Sequence, residues 1–144
     1  MGEATQIASI LGGRKVLGVE VRGIDDLIAL IHRGLPVKTM TRLAAYAGLE
    51  RRLLGQWMGL SDRVLARRLA GRSLTPHESD RAARIARVFV RAEVALHSRE
   101  KASLWLRRPN RVLGQAEPGS LLDTDVGAQM VMDVLGRIEH GTFS

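Results

Sequence analysis

The sequence predicts an all-α protein, a helix-turn-helix region followed by a small helical domain, on three observations. Apolar residues recur at three- and four-residue spacing along most of the chain, the period of a helix with one buried face. Single glycines and prolines, among them Gly48, Gly59, Gly71, Pro76 and Pro109, separate these runs. No two alternating runs meet across a hairpin turn, and no segment repeats.

The elements follow in order. Residues 1–15 show weak periodicity around a Gly12-Gly13 pair and read as a frayed leader, and Val16 to Val21 alternates loosely, as a short extended segment would. Asp25 or Asp26 opens a helix with Leu27, Ile28 and Ile31 on one face, closed by Gly34-Leu35-Pro36. Residues 1–35 thus form a first division, a leader and a helix that is a candidate for dimerisation.

Residues 36–97 are expected to form the helix-turn-helix region. Met40, Leu43, Ala44 and Ala47 mark a helix from Val37 to Ala47 that Gly48 ends, and a second runs from about Glu50 to Met58 and stops at Gly59. Ser61 is a suitable N-cap for a third, where Asp62 favours the positive helix end, and Gly71 closes it after Ala70. A longer helix then opens with Thr75 as N-cap, Pro76 at the first helical position and Glu78 three residues on from the cap. Ile85, Val88, Phe89, Ala92 and Leu96 line one of its faces; Arg81, Arg84, Arg87 and Arg91 line another, read as a solvated or interface face partly satisfied by pairs such as Glu78 with Arg81 or Asp80 with Arg84.

Residues 98–144 make the third division. Helix continues from Glu100 to Leu106 until Pro109, and a Gly/Pro-rich turn spans Gly114 to Gly119. A last helix from about Asp125 to Glu139 carries Val126, Met130, Val131, Val134, Leu135 and Ile138 as its apolar stripe, capped by Thr124 or Asp123.

Composition narrows the function. With 144 residues, 45% of them hydrophobic but only five aromatic, the core must be aliphatic. The absence of cysteine excludes disulfides and thiolate-bound metals and fits a reducing compartment. No apolar run approaches the roughly 20 residues a membrane span needs, and the opening residues lack the basic-then-apolar pattern of a secretory signal, so a soluble cytoplasmic protein is expected. The net charge of +7 is unevenly placed. Residues 36–72 hold eight basic and two acidic side chains, whereas 113–144 hold one and five. A basic middle and an acidic end suggest two surfaces with different partners.

A DNA-reading helix-turn-helix needs a small residue where its helices touch, a turn residue free to take positive φ, and apolar inner faces. Gly55, Gly59 and the set Leu54, Met58, Leu60, Leu65 and Leu69 supply these. Ser61, Arg63, Arg67 and Arg68 would then face outward, flanked by Arg51, Arg52 and Arg72. Arginine reads guanine and binds phosphate, and Ser61 at a helix N-terminus suits a phosphate oxygen. The alternative is a three-helix packing unit with a solvated arginine face.

The last third carries sharply spaced punctuation: Trp105-Leu106, Pro109-Asn110, Leu113-Gly114, Pro118, Leu121-Leu122-Asp123-Thr124, Gly127 and Ile138-Glu139-His140-Gly141. Read from the residues, Trp105, Leu113 and Leu121 form a second small core. The end differs: Phe143, beyond a glycine exit, is a candidate anchor for another protein's pocket. This pattern behind a basic helix-turn-helix resembles the Xre/MbcA/ParS family of antitoxins over roughly residues 30 to 144. The resemblance implies an antitoxin of a type II toxin–antitoxin pair whose C-terminal domain occludes the active site of a cognate RES-domain, NAD⁺-consuming toxin. It carries the toxin-binding role onto Pro118, Leu121, Leu122, Thr124, Gly127, Glu139, His140 and Gly141, with Phe143 and Ser144 of the tail. The family often has Leu-Gly-Gly before the proline; here Leu113-Gly114-Gln115 stands instead.

Catalysis is not expected. His32, His77, His97 and His140 are scattered without metal-ligand spacing, no phosphate-cradling glycine loop follows a strand, and Glu139 and His140 face different ways on a helix. No cofactor is expected. The expected partners are the toxin, operator DNA and a second copy of the chain, because a helix-turn-helix usually reads two half-sites with two-fold symmetry, within a larger toxin–antitoxin assembly. Two rival readings remain: a stand-alone transcription regulator whose C-terminal part only dimerises, and an adaptor that binds a partner protein without DNA.

Overall fold

A computed structural model describes residues 2–141. They form α1 (Glu3–Ile10), α2 (Gly13–Leu17), α3 (Ile24–Arg33), α4 (Lys38–Ala47), α5 (Arg51–Trp57), α6 (Asp62–Leu69), α7 (Pro76–Leu96), α8 (Arg99–Arg107) and α9 (Asp125–Glu139), with 3₁₀ turns at Arg111–Leu113 and Pro118–Leu121 between the last two. The predicted all-α class is what is found; the extended pairings among the described residues are the isolated bridges Pro36–Ser73 and Asn110–Ala116.

The organising element is α7. Its buried side chains are mostly small (Ala82, Ala83, Ala86, Ala92, Ala95), with Ile85, Val88 and Phe89 between them. Small residues let neighbouring backbones approach, and α1, α3, α4, α8 and α9 all pack against this one helix. Its start is as the sequence predicts: Thr75 Oγ1 accepts from the Glu78 backbone N–H, Glu78 reaches back to the Thr75 N–H, and Pro76 sits in the first turn. Ser61 accepts from the Val64 N–H to cap α6, and Thr124 from the Gly127 N–H to cap α9.

Three readings are corrected. The frayed leader is two helices: Ile7, Ile10 and Leu11 are buried, and Gly12 and Gly13, both at positive φ, turn the chain into α2. Eight residues are too few for periodicity to stand out, and a helix so short draws its stability from tertiary burial. Of the expected extended segment, Val16 and Leu17 instead close α2, and the chain leaves the helix by way of Gly18 at φ +79°. On α9 the expected stripe holds at Val131, Val134, Leu135 and Ile138 but fails at its start, with Val126 73% exposed and Met130 47%. Gly127, Ala128, Val131, Val134 and Leu135 face inward because a Cβ at Gly127 would overlap the Leu121 carbonyl, so the helix start packs backbone to backbone. In addition α8 is a separate helix rather than a continuation of α7: His97 takes a left-handed conformation (φ 61°), and Ser98 caps the new start.

Candidate nucleic-acid and partner interfaces

The α5–α6 pair has the predicted build. A Cβ at Gly55 would lie 3.0 Å from Leu65 Cδ2, so the two helices touch at that glycine. Gly59 turns at φ +76°, and the Leu60 N–H donates to the Gly55 carbonyl at 2.9 Å. Leu54, Met58, Leu60 and Leu65 are buried and Leu69 half-buried, which fixes the outward face of α6.

The seven residues the sequence nominates for DNA divide into two groups. Arg51, Arg63, Arg67 and Arg72 are exposed, with no ion pair among the described residues, and Ser61 is exposed at the start of α6. Arg52 and Arg68 are engaged within the chain. Arg52 donates to Asp62 at 3.0 Å, bracing α5 against α6 at the surface. Arg68 donates through Nε to both oxygens of Glu78, at 2.7 and 2.9 Å, and both side chains are largely shielded. Burial alone would push Glu78 up, but the Arg68 guanidinium and the Thr75 N–H outweigh it and hold its carboxyl below the usual range. Arg68 therefore ties α6 to the head of α7.

The four arginines of α7 act as fasteners. Arg81 donates to the Met58 carbonyl at 3.1 Å, and Arg84 to the Leu122 carbonyl at 3.1 Å while pairing with Asp80. Arg87 pairs with Glu3 of α1 at 3.1 Å, and Arg91 approaches Glu139 of α9 at 3.7 Å. Of the two pairs the sequence suggests, Asp80–Arg84 forms, and Glu78 is taken by Arg68 rather than Arg81.

In the C-terminal motif, Pro118, Leu122 and Gly127 are buried, Leu121 is half-buried, and Thr124 is an exposed cap. Trp105 is only half-buried. The deeply buried indole is Trp57 of α5, which lies so close over Gly119 that a Cβ there would overlap its ring. Its Nε1–H finds no acceptor among the described residues, so packing alone holds the ring. Sequence reasoning missed this contact; the glycine beside Pro118 is the signal, since a glycine between apolar residues often marks a close approach. The helix-turn-helix turn closes the same seam, with the Cβ position of Gly59 3.4 Å from Arg81 Nη1 and 3.6 Å from Asp123 Cβ. Glu139, His140 and Gly141 are exposed where α9 ends; Phe143 and Ser144 lie outside the described residues. Among the described residues no cluster of three or more His, Cys, Asp or Glu could hold a metal, and no helix is long and apolar enough to cross a membrane.

Comparison with known proteins matches both units. Residues 26–87 fit the family model of the antitoxin Xre-like helix-turn-helix domain, and residues 91–141 that of the antitoxin Xre/MbcA/ParS C-terminal toxin-binding domain. The interval between them falls inside α7, which serves both units. The chain is 37% identical over 120 residues to Antitoxin Xre of Photorhabdus laumondii, covering 82% of this chain and 81% of that protein. It is 36% identical over 121 residues to Antitoxin Xre of Yersinia enterocolitica, with the same coverage. Among solved structures it is similar to a chain of the M. tuberculosis MbcT–MbcA toxin–antitoxin complex, with a TM-score of 0.57 and 26% identity over 75% of this chain and 96% of that one.

Proposed function

The chain belongs to the Xre antitoxin family, and from that premise we propose that it neutralises a cognate RES-domain, NAD⁺-degrading toxin by occluding its active site, and represses its own operon as a homodimer in the cytoplasm. The observation that carries the first part is the exposed end of α9. Within the stretch that fits the toxin-binding domain, Glu139, His140 and Gly141 are the motif residues that stand free of the core at the helix end. They and the tail with Phe143 and Ser144 enter the toxin cleft. Buried Pro118, Leu122 and Gly127, half-buried Leu121 and the Thr124 cap hold the start of α9 in shape for that contact.

Operator binding rests on the four arginines around α6 that form no ion pair among the described residues. Arg63 and Arg67 reach base edges or phosphates from the helix, Arg51 and Arg72 hold the flanking backbone, and Ser61 anchors a phosphate at the helix start. Arg52 and Arg68 contribute by holding α6 at its angle, through Asp62 and Glu78.

Co-expression with the adjacent reading frame tests the proposal, comparing the full chain with one truncated after Arg137 and scoring growth and cellular NAD⁺. Protection by the full chain and none by the truncation supports cleft occlusion by the α9 end. Protection by both moves inhibition to the body of the domain. A neighbour harmless on its own favours a stand-alone regulator, and partner binding without any gel shift favours the adaptor.

A further inference from the structure

Trp105 of the C-terminal motif serves neither proposed surface. It is half-buried on α8, and its Nε1–H donates to no group among the described residues. The indole lines a groove of about 320 Å³ together with Leu96, Lys101, Leu104, Arg108 and Pro109. Helical spacing gathers them. Lys101 lies one turn before Trp105, and Arg108, where α8 gives way to extended backbone, lies three residues after it. Along the helix the ring thus has a cation to either side. Leu104, 39% exposed, extends its apolar surface.

The charge of this groove is one-sided. Lys101, Arg108 and, three residues on, Arg111 are exposed and form no ion pair among the described residues. No carboxylate lines the groove among the described residues. Glu100, next to Lys101 in sequence, lines a different groove, toward Tyr46 and Arg99. The larger groove between α7 and α9 is of another kind. Its Arg84, Arg87 and Arg91 share it with Asp125 and Asp133 and are held by Asp80, Glu3 and Glu139. The α8 groove is therefore the one whose cations are still available, and it has an aromatic wall. A purely apolar ligand would leave those cations idle, and a simple anion would leave the indole idle. A nucleotide uses both, its base on the ring and its phosphates on the cations.

We propose that the α8 groove binds single-stranded nucleic acid, one base stacking on the Trp105 indole while Lys101 and Arg108 hold the phosphates to either side and Arg111 meets the next. Such stacking tolerates any base, because every base has a π-face. The groove sits at the low end of the roughly 300–1,000 Å³ of small-ligand sites, which is room for one nucleotide. A duplex keeps its bases stacked on one another and away from the ring. Arg111, beyond the groove, suits a strand, which continues where a free nucleotide ends. A protein partner fits less well. Docking one here would bury three unpaired cations, each needing a carboxylate placed to match it, and lysine is depleted at the centre of protein interfaces. The inference goes beyond the antitoxin reading and uses none of its contacts.

The test is made in the full chain carrying R63A/R67A, so that α6 does not supply the binding. A fluorescein-labelled oligothymidylate of about twelve nucleotides is titrated by anisotropy at several salt concentrations. It is expected to bind. Adding W105A should weaken binding about 10-fold and leave the salt slope unchanged, since stacking releases no counterions. Adding K101A/R108A instead should weaken binding and lower the slope by about 1.4, the share of two phosphate contacts on a single strand. The second pair removes only exposed side chains, so it decides the matter should W105A fail to fold. No binding in the R63A/R67A chain, or binding that both sets of variants leave unaltered, overturns the proposal. AMP displacing the strand with equal affinity overturns it in favour of a free nucleotide. Variants that hold the strand normally but lose a toxin partner overturn it in favour of the protein. Protection of cells from a toxin is scored separately, so the antitoxin reading stands or falls without this one.

Discussion

Helix α6 and helix α9 carry the two proposed binding surfaces in opposite ways. Packed chiefly on α5, α6 carries its proposed function on exposed side chains that form no ion pair among the described residues, Arg63 and Arg67. By contrast α9 is pressed along the full-length scaffold helix α7, and the residues that mark its motif are mostly internal: Pro118 buried beside the Gly119 that Trp57 covers, Leu122 with its carbonyl on Arg84, Gly127 against the Leu121 carbonyl. In the first unit the distinctive residues are the ones proposed to bind. In the second they maintain the shape that the proposed contact residues would need.

The largest expected effect sharpens that contrast with one substitution made in both units. Gly127→Ala places a methyl on the Leu121 backbone carbonyl, where no flexible side chain can give way. It should lower unfolding free energy by about 3 kcal/mol or more in urea titration. Gly55→Ala meets the tip of Leu65, which can rotate, and should cost about 1 kcal/mol. Equal losses would break the comparison, because the start of α9 would then be no more rigidly built than the helix-turn-helix.

Next in size is a pair of neighbours on α6. Arg68→Ala strands the shielded Glu78 carboxylate and should destabilise by about 2 kcal/mol. Arg67→Ala should change stability by less than about 0.5 kcal/mol, yet weaken operator binding and lower its salt-dependence slope by about one. If Arg68→Ala is silent in the urea titration, its pairing is only a surface contact. The Glu78 pair also sets a pH window. Because its folded pKa is depressed, its stabilisation is complete above the ordinary value of 4.5 and is lost as pH falls through the lower folded value. In Glu78→Gln that acid-side loss should shrink.

How far the sequence reveals all this follows from where the signals lie. The capping box at Thr75, the caps at Ser61 and Thr124 and the glycine turn at Gly59 are local, so the residues themselves announce them. Helix α1 was hidden because its burial comes from α7, dozens of residues away, and α2 because it packs on α1 and α4 rather than on a partner next to it in sequence alone. The same distance hid the intramolecular use of Arg68 and Arg84 and the seating of Trp57 on Gly119, which depend on partners at separations of 10, 38 and 62 residues. Along α9 hydropathy found Val131, Val134, Leu135 and Ile138 but misplaced Val126 and Met130, because a glycine-mediated backbone contact at Gly127 decides which residues of the first turns go inward. The candidate site is legible to the extent that it is charged and exposed.

The smallest expected effect sits where the two units join. Tyr46 of α4 donates to Glu93 Oε1 at 2.6 Å, packs edge-on to Phe89 at 5.7 Å, and has the Arg99 guanidinium 4.7 Å over its ring, so it links α4, α7 and α8. Burial first, and then the Glu93 hydrogen bond and charge, raise its hydroxyl pKa from 10.0 to about 12, against the opposing pull of Arg99. A raised folded value means the stabilisation is fully present below pH 10.0 and is lost as pH climbs through about 12. Tyr46 is the one tyrosine in the chain, so phenolate absorbance reports its titration without deconvolution. The midpoint should sit well above that of free tyrosine in the folded protein and return to it in urea. Tyr46→Phe should remove this part of the alkaline destabilisation, the hydrogen bond itself contributing about 1 kcal/mol. A folded-state midpoint at the free value would mean that the junction is open to water at Tyr46, and that α8 is held to the helix-turn-helix side by its apolar contacts alone.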